Sequence, residues 1–176
     1  MGLKVAVIGL AQSTHEDAPW HDESWEKWGL PWDHNWAHLD RFFEMHDIRL
    51  IEGEHAKLPK DYDVRLSCKP CYMQEEYYPG AIKYPLEGYF NSSISYMMAL
   101  AIHEGAEEIG IWGVDMADKE EYVYQKANME YWIGLAEGKG IKVFIPEKSS
   151  LCKFCGDGIK YYNHTPAYVG RYGWLG

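Results

Sequence analysis

The sequence has no long apolar run. Its longest, residues 96–102, falls far short of the roughly 20 residues that span a bilayer as a helix. It is also poor in positive charge: 17 Lys and Arg stand against 27 Asp and Glu, a formal net charge of -10. Sequence-independent binding to nucleic acid needs clustered cations to neutralise phosphates, so that class is excluded. A small nucleotide pocket is not excluded, because backbone N–H groups at a helix N-terminus can take the place of Lys and Arg. No charged segment precedes the first apolar residues, and residues 3–9 read as a strand rather than a signal peptide. A cytoplasmic protein is therefore expected, with a small molecule as partner, no membrane contact and homo-oligomerisation left open.

What is present points to a folded domain. Hydrophobic residues make up 47% of the 176 positions, which excludes disorder as the main state. The length suits one compact domain. Residues 1–148 are expected to form a Rossmann-like domain, and residues 149–176, rich in Gly and Tyr, a tail packed on it. Aromatics reach 15%, with 8 Trp and 14 Tyr, and the 4 Cys fall as two C-x-x-C pairs.

A continuous apolar run at residues 3–9 has the character of a strand buried on both faces, and residues 108–115 and 141–146 read as further strands. Residues 24–30 and 40–46 are further strand candidates, residues 48–63 have room for one short helix, and residues 64–73 are expected to include a strand. Asn91-Ser92-Ser93 is a helix N-cap signal. Ile94, Met97, Met98, Ala101 and Ile102 then recur at helical spacing up to Gly105, and residues 122–137 repeat that spacing. Strand, helix, strand, helix, strand with short connections predicts a mainly parallel α/β sheet with helices on both faces.

In such sheets ligands bind beyond the carboxyl ends of the strands, where strand order reverses. Three motifs are expected to gather there. The turn after the first strand offers Gly9, Gln12 and Ser13, although it lacks the full G-x-G-x-x-G spacing. Asn91, Ser92 and Ser93 offer N–H groups and hydroxyls to phosphate, or simply cap the helix. Asp115, at the end of a strand, can bind a ribose hydroxyl, hold Mg²⁺ or take a proton, or cap the next loop. Tyr122, Tyr124 and Gln125 follow and can stack on a base or meet an acceptor, or serve packing.

Cys68, Cys71, Cys152 and Cys155 have the spacing of thiolates that share a tetrahedral zinc. Such an ion would staple the tail to the sheet; free thiols or a redox pair are the alternatives. Trp20, Trp25, Trp28, Trp32 and Trp36 can stack bases or sugars, or form an oligomer interface. The histidines form no Ser-His-Asp or Cys-His arrangement by spacing, and His46 alone is placed near the crevice.

Residues 91–146, with the Asn91-Ser92-Ser93 motif, Tyr96-Met97-Met98-Ala99-Leu100-Ala101, Gly105-Ala106-Glu107-Glu108-Ile109 and Gly113-Val114-Asp115, carry a family pattern. They resemble the bacterial sialyltransferases that use CMP-sialic acid and the related MptE-like 6-hydroxymethylpterin pyrophosphokinases. Residues 3–150 are similar to short proteins encoded by tailed phages. The resemblance implies a Rossmann-like fold with a nucleotide at the Gly9, Ser92 and Asp115 edge. Sialyl transfer is not implied: Ala117 stands where that family has a tyrosine, Leu10 and Ala11 replace its first-loop asparagine, and no His lies between His103 and His164.

The expected function is therefore nucleotide binding by a transferase acting on a nucleotide or nucleotide-activated substrate, through glycosyl or phosphoryl transfer. Two alternatives remain at this point: a non-catalytic phage accessory protein that binds a nucleotide or a host protein, in the host cytoplasm, and a zinc-stapled interaction module.

Overall fold

The computed structural model describes residues 2–47, 60–116 and 120–152, with the side chains of residues 120–123 excepted. The short apolar runs become seven strands: β1 (Lys4–Ile8), β2 (Glu26–Gly29), β3 (Arg41–Glu44), β4 (Cys71–Met73), β5 (Ala81–Lys83), β6 (Glu108–Trp112) and β7 (Lys142–Phe144). All pair in parallel, in the order β5-β4-β3-β2-β1-β6-β7. Val5 lies opposite Ile109 on one side and Glu26 on the other, so β1 is central. The chain builds outward from β1 to β5, then returns to add β6 and β7 on the other flank. Strand order thus reverses between β1 and β6, the α/β architecture expected from the sequence.

Among the described residues there are three α-helices: α1 (Tyr62–Cys68), α2 (Ser93–His103) and α3 (Glu120–Gly138). The periodic Ile94, Met97, Met98 and Ala101 of α2 are buried against one sheet face together with Met129, Ile133 and Ala136 of α3. Because side chains alternate along a strand, Val5 and Val7 join that core while Ala6 and Ile8 join the core on the opposite face. Gly105, with φ +77, closes α2 in the left-handed region that glycine adopts without strain. No helix among the described residues is long and apolar enough to cross a membrane.

The second face is covered differently, and this accounts for much of the tryptophan excess. Among the described residues only α1 joins it as a helix; between β1 and β2 and between β2 and β3 the helical structure is limited to the single 3₁₀ turns His15–Asp17 and Trp36–His38. Trp20 is buried in this second core, and Trp25, Trp32 and Trp36 pack against it. Large rings carried on loops cover the apolar sheet that helices would otherwise cover. Trp28 is the exception: it is fully buried on the α2 side, stacked 5.5 Å from Phe43.

Between residues 62 and 83 the elements differ from the sequence reading, which has no strand at β5 (Ala81–Lys83). Residues 64–68 belong to α1, and the strand expected within 64–73 is confined to Cys71–Met73. A seven-residue helix completes barely two turns, too few for its period to separate it from a strand.

Candidate functional site

The carboxyl ends of β1 and β6 are laced together. The Gly9 N–H donates to Trp112 O and the Ala11 N–H to Gly113 O, each at 2.8 Å. The Gly113 N–H donates to Thr14 Oγ1, also at 2.8 Å. A Cβ on Gly9 would lie 2.4 Å from Gly113 O, and one on Gly113, where φ is +64, would lie 2.2 Å from Gly9 O. These glycines therefore serve the close approach of two loop backbones. Gln12 is exposed beside them.

Two polar atoms at this junction stand out. Ser13 Oγ and Asp115 Oδ1 are buried without a hydrogen-bond partner. Such orphaned atoms are uncommon in folded proteins because desolvation without compensation costs about 1–3 kcal/mol each. Over the same junction runs the segment after β7: Ser149 Oγ donates to Val114 O at 2.7 Å, Ser150 Oγ donates to Asp115 O, and Leu151 is fully buried.

The N-terminus of α2 is engaged locally. Ser92 Oγ accepts from the Ser95 N–H while Ser95 Oγ donates to Ser92 O at 2.7 Å, and Ser92 is the N-cap in a capping box with Ser95. The Asn91 N–H donates to Asn128 Oδ1 at 3.0 Å, and Asn128 Nδ2 donates to Tyr89 O at 2.8 Å. These bonds tie residues 89–92 to α3. Ser93 is half-buried at the first helical position. Tyr124 is 70% exposed on α3, and Gln125 is half-buried beside it. No direct hydrogen bond is seen between this trio of residues at the helix start and the Gly9 turn or Asp115.

The described cysteines do not converge. Cys71 is buried in the core on the α1 face, whereas Cys152 packs against the core on the α2 and α3 face, and its N–H donates to Glu130 Oε1 at 2.7 Å. The sheet lies between them, while thiolates sharing zinc must come within about 4 Å of each other, given Zn–S bonds of about 2.3 Å. Cys68 is exposed at the end of α1. Burial pushes the Cys71 thiol up to about 12, with the Glu44 carboxylate adding to the effect, so it is held as a neutral thiol. Cys155 lies outside the described residues.

The densest chemistry is elsewhere on the carboxyl edge, in the loops after β1 and β2. His15 is 3% exposed and Asp33 0%. A carboxylate only accepts, so the His15 Nε2–H donates to Asp33 Oδ2, at 2.8 Å. The other oxygen, Asp33 Oδ1, accepts the Asn35 N–H at 2.8 Å. Arg65 of α1 donates to Pro31 O and Asp33 O, and its guanidinium lies over the Trp36 ring. These bonds fix both the carboxylate and the loop that carries it. On its outer side His15 Nδ1 lies 2.9 Å from Glu16 Oε1, and Glu16 Oε1 lies 3.3 Å from His34 Nε2. Burial works against a charge on His15, but the bonds to Asp33 and Glu16 outweigh it and hold the imidazole above its ordinary pKa. A recess of about 410 Å³ opens alongside, lined by Glu16, Trp20, His21, Asn35 and His38.

A second carboxylate with an imidazole partner lies at the end of β3. Glu44, 1% exposed, accepts from Trp32 Nε1 at 2.8 Å and from the Tyr62 hydroxyl, and its Oε1 meets His46 Nδ1. His46, the histidine placed near the crevice from sequence, is thus held by Glu44 beyond β3. A larger concavity of about 1100 Å³ lies at the opposite edge, around Lys4, Glu26, Glu108 and Lys142. These residues begin their strands, and the amino edge is not where parallel sheets place ligands.

The sequence reading passed over His15, Glu16, Asp33 and His34. No fixed spacing relates residues on two irregular loops, so motif matching had nothing to find. The one usable signal was positional: both loops directly follow strands at their carboxyl ends. No protein-family model, curated protein or solved structure matches this chain.

Proposed function

We propose that the carboxyl edge over β1 and β6 binds a nucleotide or nucleotide-activated small molecule, and that the protein acts on it as a transferase. The observation that carries this reading is the pair of orphaned atoms, Ser13 Oγ and Asp115 Oδ1, on the two loops that flank the reversal of strand order. A ligand hydroxyl that donates to Asp115 and a phosphate oxygen or hydroxyl that meets Ser13 would satisfy both. In this reading Asp115 holds ribose or a phosphate-bound Mg²⁺, Ser13 contacts phosphate, and Tyr124 and Gln125 face the acceptor. The location is cytoplasmic, in the host cytoplasm if the protein is phage-encoded.

A second reading, a binder without turnover, is favoured by the hold of Ser149 and Ser150 over Val114 and Asp115, which favours slow exchange of anything bound beneath.

Calorimetric titration with mono-, di- and triphosphate nucleosides and nucleotide sugars tests the site. Asp115→Ala and Ser13→Ala are expected to raise Kd at least tenfold, since Asp115 Oδ1 and Ser13 Oγ have no partner within the protein and are left for a ligand. Binding unchanged in both variants would reject the assignment. Product formation on prolonged incubation separates the transferase from the binder.

A further inference from the structure

Three nitrogen and oxygen donors face one another where the loop after β1 meets the loop after β2. One donor atom each from His15, Glu16 and His34 lies within 4.8 Å of the other two. The His15 and His34 rings are 4.9 Å apart at 38°, so they flank the Glu16 carboxylate. Behind this trio stands Asp33, fully buried, with one oxygen on His15 Nε2 and the other on the Asn35 N–H. A carboxylate on the far nitrogen of an imidazole fixes the ring and raises its basicity, which is the outer-sphere arrangement around metal-ligating histidines. In front, the Glu16 and His34 side chains are 69% and 70% exposed, so a cation can enter from solvent.

We propose that His15 Nδ1, a Glu16 carboxylate oxygen and His34 Nε2 bind one divalent cation of the zinc class, with Asp33 as the residue that positions His15. Two imidazoles and one carboxylate suit zinc and its neighbours; Mg²⁺ and Ca²⁺ prefer oxygen throughout. Ligands about 2.1 Å from a tetrahedral zinc stand about 3.4 Å apart. The 3.3 Å between Glu16 and His34 already matches that spacing, and the exposed Glu16 side chain can yield the few tenths of an ångström that the 2.9 Å contact to His15 requires. Three protein ligands leave a fourth position open toward solvent for water or a substrate oxygen, the pattern of a working rather than a closed site. This site uses none of the cysteines and does not depend on a nucleotide over β6.

The test is titration of the full chain with Co²⁺, followed by its visible absorption, and with Zn²⁺ in competition by calorimetry. One equivalent is expected to bind without a thiolate-to-cobalt charge-transfer band. His34→Ala and Glu16→Gln abolish that binding while leaving the metal-free melting temperature unchanged, because both side chains are exposed. Asp33→Asn, which keeps the shape but not the charge, weakens affinity about 10–100-fold. Binding that is unaffected by His34→Ala and Glu16→Gln, a cobalt spectrum carried by thiolates, or no binding below about 1 mM would overturn the proposal.

Discussion

His15 Nε2 lies 2.8 Å from Asp33 Oδ2, and this contact joins the loop after β1 to the loop after β2 in a place closed to water. Removing the imidazole leaves a fully buried carboxylate with the Asn35 N–H as its hydrogen-bond partner and His34 Nδ1 3.7 Å away. His15→Ala is therefore expected to cost about 3 kcal/mol. Combined with Asp33→Ala, it should cost clearly less than the sum of the two single changes, because Asp33→Ala removes the charge that His15→Ala leaves behind. Urea unfolding of the two single variants and the double variant measures this coupling.

Glu44 makes stability depend on pH in acid. Burial opposes its ionisation, but bonds from His46 and Tyr62 outweigh burial and hold the carboxyl below its usual range. With the folded pKa lower than the unfolded value of about 4.3, the stabilisation is fully present above that value. It is lost as pH falls toward the folded pKa. Glu44→Gln should be less stable than the native chain at pH 7, and the gap should narrow below about pH 4. Unfolding free energies at successive pH values check the sign.

Cys68 and Cys71 should differ in reactivity although two residues separate them. Cys68 is exposed, while Cys71 is buried and held as a thiol up to about pH 12. Only the thiolate alkylates readily. Iodoacetamide at pH 8 is expected to label Cys68 in the native protein and Cys71 only after denaturation, as read by peptide mass spectrometry.

Glycine replacements should separate close approach from mere presence in the chain. In Gly9→Ala the new Cβ meets the Gly113 carbonyl at 2.4 Å, and backbone on both sides cannot yield. The expected cost is about 3 kcal/mol, the upper end for overpacking. Gly134 lies within α3 with nothing within 4 Å of its would-be Cβ. Gly134→Ala should stabilise by about 0.5–1 kcal/mol. Thermal melts of the two variants should move in opposite directions.

Much of the fold was legible because it is written locally. Ser92 and the spacing of Ile94, Met97, Met98 and Ala101 announce α2, and the apolar run over residues 109–112 announces β6. β4 is expected only somewhere within residues 64–73 and β5 not at all, since three residues each carry no usable period. The candidate site was legible only in part. Ser13 and Asp115 were singled out by the rule that ligands gather at carboxyl ends, and each carries a buried atom without a partner; Ser92 caps α2. His15 and Asp33 escaped notice because neither loop has a repeat to reveal what it faces.

The sequence by itself determined a parallel α/β domain: alternating buried strands and amphipathic helices with short connections leave few other arrangements. Tertiary structure alone decided that strand order reverses between β1 and β6, that the sheet separates Cys71 from Cys152, and that His15 meets Asp33. Each of these depends on which distant segments pair or pack across the sheet. Local spacing encodes the face a residue presents within its own element, but not the residue that will meet it from another part of the chain.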